Sequence, residues 1–285
     1  MAGGLLHRVF EWGAASPDSP TVFFVHGYLD CGASFTPLVE QLPDSYHCVA
    51  PDLRGHGGSE WVGKGGYYHF FDYVRDLREL VDELAGPRLI LIGHSMGGGV
   101  STLFAGTWPQ DVEKLVLLEG LGPPEEHYED GPERVRRWIR ELRNSESRAA
   151  RSFDSLEQVA ARLSKLWPTL TSERVFDLAG WMTVPTEQGG FKWSYDPVHR
   201  TRTPMVFRPD RWAPFLSAIT CPTLTVAGGK SWYRWPDLDS RRANLVNRTH
   251  CHIENGSHML HLDSAIEVGS AISGHIKGFS IKRSI

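Results

Sequence analysis

Five stretches of this chain are continuous apolar runs that stop at glycine or at a small or charged residue: TVFFVHG (21–27), HCVAPD (47–52), RLILIGHS (88–95), KLVLLEG (114–120) and PTLTVAGG (222–229). Runs without polar alternation are those of strands buried on both faces, as in a parallel sheet. Between them the period changes. Phe70, Val74, Leu77, Val81 and Leu84 recur at steps of three and four, which predicts an amphipathic helix with Asp72 as its N-cap. The alternation predicts an α/β fold: a mostly parallel, doubly wound sheet covered on both faces. Only one clear strand fits before Thr21.

The alternation breaks between Leu121 and Pro214, a segment rich in Trp, Arg and Pro. PERVRRWIRELRN, SLEQVAARLSKLW and SERVFDLAGWM read as helices there, and the strand signature returns at Pro222. The expected organisation is a core over 1–120, an inserted helical cap over 121–214, and a second part of the core over 215–285. RVRRWIREL looks like a basic partner-binding helix, but Glu133 and Glu141 dilute its charge and favour a solvated cap face.

Composition narrows the partners. A formal net charge of −4 gives no reason to expect nucleic acid or an anionic membrane. No apolar run approaches the ~18 residues that span a bilayer. The start, MAGGLLHRVFEWG, lacks a basic region followed by an apolar core, so no secretory signal is expected. Cys31, Cys48, Cys221 and Cys251 form no CxxC pair, which fits reduced thiols and a cytoplasmic location. Without an export signal the sequons at Asn247 and Asn255 are read as chance.

GHSMG (93–97) stands between an apolar strand and a glycine- and alanine-rich helical stretch. In that context it reads as a nucleophile elbow, a tight turn whose small flanking residues avoid backbone clashes while Ser95 stays exposed at the sheet edge. The helix N-terminus behind it sets backbone N–H groups where negative charge develops.

Four ordered features resemble the α/β-hydrolase superfamily: HGYLD (26–30), DLRGHGGS (52–59), GHSMGG (93–98) and ENGSHMLHLD (254–263). They resemble, in turn, the oxyanion loop, the D-x-R-G-x-G-x-S loop, the elbow, and the final strand with its histidine loop. The resemblance is to a serine-hydrolase-like branch related to haloalkane dehalogenases and epoxide hydrolases, with a serine where those relatives use an aspartate. It implies Ser95 as nucleophile, His258 as general base, and backbone N–H groups of Met96 and Tyr28 as oxyanion donors. His26, His56 and His261 read as loop-stabilising or exposed. His250, Cys251 and His252 are not read as a metal set, since strand neighbours point to opposite faces.

The residue that orients His258 is less direct. In this family the loop after the strand at 223–228 usually presents an aspartate, and here the position is Ser231. The resemblance offers a second place, the end of the strand before the cap, occupied by Glu119. A carboxylate after an apolar run is costly unless it meets a partner such as an imidazole. Glu119 is therefore the expected acid, with Asp237 and Asp239 as alternatives.

The implied activity is hydrolysis of a carboxylic ester or thioester of a small, mainly apolar substrate through an acyl-enzyme on Ser95, with no cofactor or metal. A C–C bond hydrolase, a lyase or cyclase, or a non-catalytic ligand-binding protein on the same fold are the alternatives. Trp138, Trp167, Trp181, Trp193 and Trp212 fall in the expected cap, and Trp232 and Trp235 follow Ser231; some of them are expected to face the cleft.

Overall fold

The structure is a computed structural model and describes residues 1–125, 131–147 and 152–278. The first half of the core runs β1 (Val9–Trp12), β2 (Thr21–Val25), α1 (Thr36–Val39), β3 (His47–Pro51), α2 (Phe70–Leu84), β4 (Leu89–His94), α3 (Met96–Thr107) and β5 (Lys114–Leu118). The inserted segment carries α4 (Gly131–Ser147), β6 (Ser152–Phe153), α5 (Leu156–Leu166), α6 (Ser172–Trp181), β7 (Thr183–Pro185) and β8 (Phe191–Trp193). The core resumes with α7 (Pro209–Ala218), β9 (Thr223–Gly228), α8 (Leu238–Ala243), β10 (Arg248–Ile253), α9 (Leu260–Asp263) and α10 (Ala265–Ile276).

The central sheet has the order β1-β3-β2-β4-β5-β9-β10, parallel throughout except for the antiparallel pairing of β1 with β3. The apolar runs follow from burial on both faces. Phe23, Val25, Leu89, Leu91, Leu115 and Leu117 join one core cluster, under α2, α3 and α7, while Val22, Phe24, Ile90, Ile92, Val116 and Leu118 join the other, under α1 and α10. Successive side chains of one strand thus fill two cores. The residues following β4, β5, β9 and β10 emerge at one edge of the sheet, where ligands bind in open α/β sheets.

Two local expectations are corrected. Helix α2 starts at Phe70 with His69 as its N-cap, so Asp72 is the third helical residue; its carboxylate accepts the His69 N–H at 3.3 Å. A carboxylate one turn in closes back on the cap residue as well as an N-cap would close forward. The inserted segment, expected to be helical, also holds a three-stranded antiparallel sheet, β6-β8-β7. Its strands of two or three residues are too short for alternation to show in sequence.

The insert buries Val159, Leu163, Val175 and Leu178 against Cys31, Ala33, Met259 and Leu262 of the core loops. Residues 126–130 and 148–151 of the span 121–214 lie outside the described residues. Helix α7 straddles position 214 and packs on α3, with Trp212 Nε1 donating to Thr102 Oγ1 at 2.9 Å.

A buried ion pair braces the loop after β3. Arg54 donates from Nε and Nη2 to the two carboxylate oxygens of Asp76, each at 2.6 Å, and the Asp76 side chain is 0% exposed. Removing one member leaves the other buried and uncompensated. Arg54→Met is expected to lower unfolding free energy by about 3–5 kcal/mol in urea titrations; a loss below about 1 kcal/mol, the scale of a surface pair, would show the pair is solvated.

Candidate active site

The elbow is built by close backbone approach. Ser95 has φ 51° and ψ −117° between β4 and α3, a conformation that costs energy for any residue other than glycine. A Cβ on Gly97 would stand 2.0 Å from the Val25 carbonyl oxygen, and one on Gly98 would stand 2.3 Å from Gly120 Cα. Glycine at both positions lets α3 sit directly behind β2 and beside the chain leaving β5.

Three strand ends bring the side chains together. His258 Nε2 lies 3.0 Å from Ser95 Oγ, and His258 Nδ1 lies 2.6 Å from Glu119 Oε2. The carboxylate fixes the tautomer. An ionised Glu119 accepts only, so Nδ1 carries the proton and Nε2 presents its lone pair to the serine hydroxyl. Glu119 itself has φ 49° and is 4% exposed. Its other oxygen accepts the Gly228 N–H at 2.9 Å.

Ser231 stands where an aspartate was expected, and its hydroxyl donates to Glu119 Oε2 at 2.5 Å while its oxygen accepts the Tyr233 N–H at 3.0 Å. The β9 loop thus contributes a donor to an acid carried by β5. Asp237 pairs with Arg241 at 2.6 Å, and Asp239 with Arg242 at 2.6 Å. These alternative acids are engaged elsewhere, and the carboxylate bonded to His258 is Glu119.

The loop bearing Tyr28 is tied down by two histidines. His26 Nδ1–H donates to the Gly27 carbonyl at 2.8 Å while its Nε2 accepts the Leu53 N–H at 2.9 Å. His56 Nε2 accepts the Leu29 N–H at 3.3 Å, and Leu29 adopts φ 58°. Among the described residues the Tyr28 and Met96 N–H groups have no protein acceptor. The Tyr28 ring lines the cavity beside Ser95, and its hydroxyl donates to the His199 carbonyl at 2.7 Å.

The cavity over Ser95 measures about 520 Å³ and is mostly apolar. Trp167 lies 6.2 Å from the His258 ring at 24°, Trp232 lies 4.5 Å from it, and Trp193 forms part of the wall. The other tryptophans serve elsewhere: Trp138 meets Tyr67, Trp181 borders the insert's core, Trp212 meets Phe70, and Trp235 Nε1 donates to the Gly122 carbonyl.

Behind the elbow lies a histidine cluster that the motifs did not reveal. His94 Nε2–H donates to the His258 carbonyl at 2.8 Å, which positions the backbone of the histidine facing Ser95. His261, read from sequence as a loop-stabilising or exposed residue, is fully buried and lies 3.2 Å from the Ser34 hydroxyl and 3.5 Å from Asp30. Asp30, His94 and His261 bring one potential metal-ligand atom each within 4.8 Å of one another, but Asp30 already accepts from Cys31 N–H and Ser34. These contacts account for Asp30 as a hydrogen-bonded loop anchor. Burial and the neighbouring His261 and His258 push the His94 pKa well below 6.5, and burial lowers His26 and His56 as well. The signal for a structural role was present in sequence only as histidines inside two glycine-rich loops.

A family model for the alpha/beta hydrolase fold matches residues 20–265. A serine hydrolase-like protein of Danio rerio is 27% identical over 90% of this chain and 81% of its own length. A serine hydrolase-like protein of Homo sapiens is 39% identical over 38% of this chain; that match spans about half, 52%, of the human protein. Among solved structures, the thioesterase domain from the curacin biosynthetic pathway superposes with a TM-score of 0.81 at 29% identity, covering 95% of this chain and 96% of that one. Among the described residues no helix is long and apolar enough to cross a membrane.

Two measurements test this arrangement. Ser231→Ala removes a hydrogen bond to a charged group, so the rate of Ser95 modification by a fluorophosphonate is expected to fall about tenfold or more; an unchanged rate would make Ser231 a spectator. The buried histidines also set a pH dependence. Their folded pKa values lie below the unfolded 6.5, so the unfolded chain binds more protons as pH falls through 6.5. Stability present above 6.5 is therefore lost on acidification below it. Tm is expected to drop between pH 7.5 and 5.5, with a shallower drop in His94→Gln. A flat profile in the parent protein would refute the assignment.

With a matching family model, an elbow between β4 and α3, and serine, glutamate and histidine following β4, β5 and β10, this chain belongs to the α/β-hydrolase fold family.

Proposed function

We propose that this protein is a serine hydrolase that cleaves a carboxylic ester or thioester of a small, mainly apolar substrate. The observation carrying this reading is the unbroken chain Ser95 Oγ–His258 Nε2, His258 Nδ1–Glu119 Oε2, at 3.0 and 2.6 Å. The substrate's acyl carbon sits against Ser95, under a lid made by the inserted segment. Serine oxygen attacks as its proton passes to His258 Nε2, and Glu119 stabilises the imidazolium so formed. The oxyanion is held by the Met96 and Tyr28 N–H groups, at the N-terminus of α3 and in the loop after β2.

Collapse of this intermediate expels the alcohol or thiol, which takes the proton from His258 and leaves the acyl group on Ser95. Water then enters, gives its proton to His258, and attacks the acyl carbon; the returning proton releases Ser95. The apolar walls, Leu163, Trp167, Trp193 and Met259 among them, favour an acyl group with substantial hydrocarbon.

Purified protein treated with a fluorophosphonate is expected to gain one adduct by intact mass, and Ser95→Ala none. Glu119→Gln keeps the shape but offers the imidazole an amide, and is expected to slow both labelling and turnover of para-nitrophenyl esters on the order of 10⁴-fold. Absence of labelling in the parent protein overturns the proposal. A Glu119→Gln protein with unimpaired rate would remove Glu119 from the mechanism and leave Ser95 in it.

A further inference from the structure

Two cations line the mostly apolar cavity. Arg162 projects from α5 and Arg200 stands at the end of the short Pro197–Arg200 turn, and both line the space above Ser95. Neither guanidinium forms an ion pair among the described residues. Other arginines of the same insert do: Arg137 with Glu141 at 2.9 Å, and Arg174 with Asp177 at 3.4 Å. Arg162 is partly exposed and Arg200 exposed, and the lining they share includes Leu163 and Trp193.

The two charges converge. Tyr195, 7% exposed and also on the wall, has its phenol pKa raised by burial, and both Arg200 and Arg162 pull against that shift. The acid that lines the cavity, Asp30, is held by the Cys31 N–H and the Ser34 hydroxyl, 3.5 Å from His261, and so has its own partners in the oxyanion loop. The Arg162 guanidinium, partly buried at the cavity wall and without a counter-ion among the described residues, offers bidentate donors to a planar or tetrahedral anion, while Arg200, exposed and beside the Tyr195 hydroxyl, adds a second charge from the rim.

We propose that Arg162 and Arg200 form an anion subsite inside the substrate cavity, so that the favoured ester or thioester carries a carboxylate, sulfonate or phosphate away from its reacting carbonyl. This names the substrate class of the site described above and rests on the hydrolase reading. The geometry separates the two ends of the substrate. Ser95 belongs to the sheet edge, while both arginines come from the insert that covers it. The hydrocarbon between them lies along Trp193 and Leu163, which reconciles an apolar cavity with a charged terminus.

The anion could belong to the acyl group or to the leaving group, and matched esters separate the two. On the acyl side, mono(para-nitrophenyl) adipate is compared with para-nitrophenyl hexanoate. On the leaving side, para-carboxyphenyl hexanoate is compared with its methyl ester. In one of these pairs the parent enzyme is expected to favour the charged member at least about tenfold in kcat/KM, as a hydrogen bond to a charged group implies. That ratio is expected to collapse toward unity in Arg162→Met/Arg200→Met and to be kept in part by Arg162→Lys. A neutral-preferring parent, or a ratio that the double substitution leaves in place, overturns the subsite.

A binding measurement separates this outcome from failure of the hydrolase reading. In Ser95→Ala, monomethyl adipate and methyl hexanoate are titrated by the fluorescence of the cavity tryptophans. Tighter binding of the charged ester, lost in the double arginine variant, supports the subsite even if no ester is turned over. Equal binding of these two esters, together with equal binding of para-carboxyphenyl hexanoate and its methyl ester, overturns it even if hydrolysis is found.

Discussion

A carboxylate buried to 4% exposure at the end of β5 organises this site, because a charge in that position is tolerable only while donors surround it. Glu119 has three: the Gly228 N–H, the Ser231 hydroxyl and His258 Nδ1. Two come from the end of β9 and the loop that follows it, and the third from the loop after β10. The adjacency of β5 and β9 sets the Gly228 amide in place, and the loop that follows folds back so that Ser231 can donate. His258 meets the third direction and, with its proton committed to Glu119, turns an unprotonated nitrogen toward Ser95.

Around this chain of hydrogen bonds the fold spends unusual backbone conformations. Leu29, Ser95 and Glu119 are the described non-glycine residues with positive φ, and they lie in the loop after β2, at the elbow and at the end of β5. Such residues persist where the surroundings over-determine them. For Leu29 the surroundings are the neutral histidines His26 and His56; for Ser95 they are the glycines that let α3 press against β2.

The inserted segment adds Trp167, Trp193, Arg162 and Arg200 to the walls that Tyr28, Trp232 and Met259 provide from the core. Its buried cluster is continuous with Cys31 and Met259, residues adjoining the oxyanion loop and the histidine loop. Tyr28 crosses the same boundary through its bond to the His199 carbonyl. Contacts of the insert thereby reach both the loop that carries Tyr28 and the loop that carries His258.

Read from sequence alone, the parallel sheet and the elbow at Ser95 were legible because each leaves a local trace, an unbroken apolar run or a glycine-flanked serine between a strand and a helix, whereas the histidine at 258 was legible through the resemblance of ENGSHMLHLD to a histidine loop. Glu119 was legible as an acid out of place in an apolar strand, though Asp237 and Asp239 competed with it. The tertiary structure decided between them. His258 and Glu119 are 139 residues apart in the chain, and Ser231 is 112 from Glu119, so their pairing depends on strand order rather than on any local period. The same holds for the buried cluster of Asp30, His94 and His261, and for the presence of both Arg162 and Arg200 in the lining of one cavity. The short β6-β8-β7 sheet was hidden for a different reason: two or three residues cannot display an alternation. Local sequence reports which face of an element is buried; which side chains then share a buried space is set by how the elements cross.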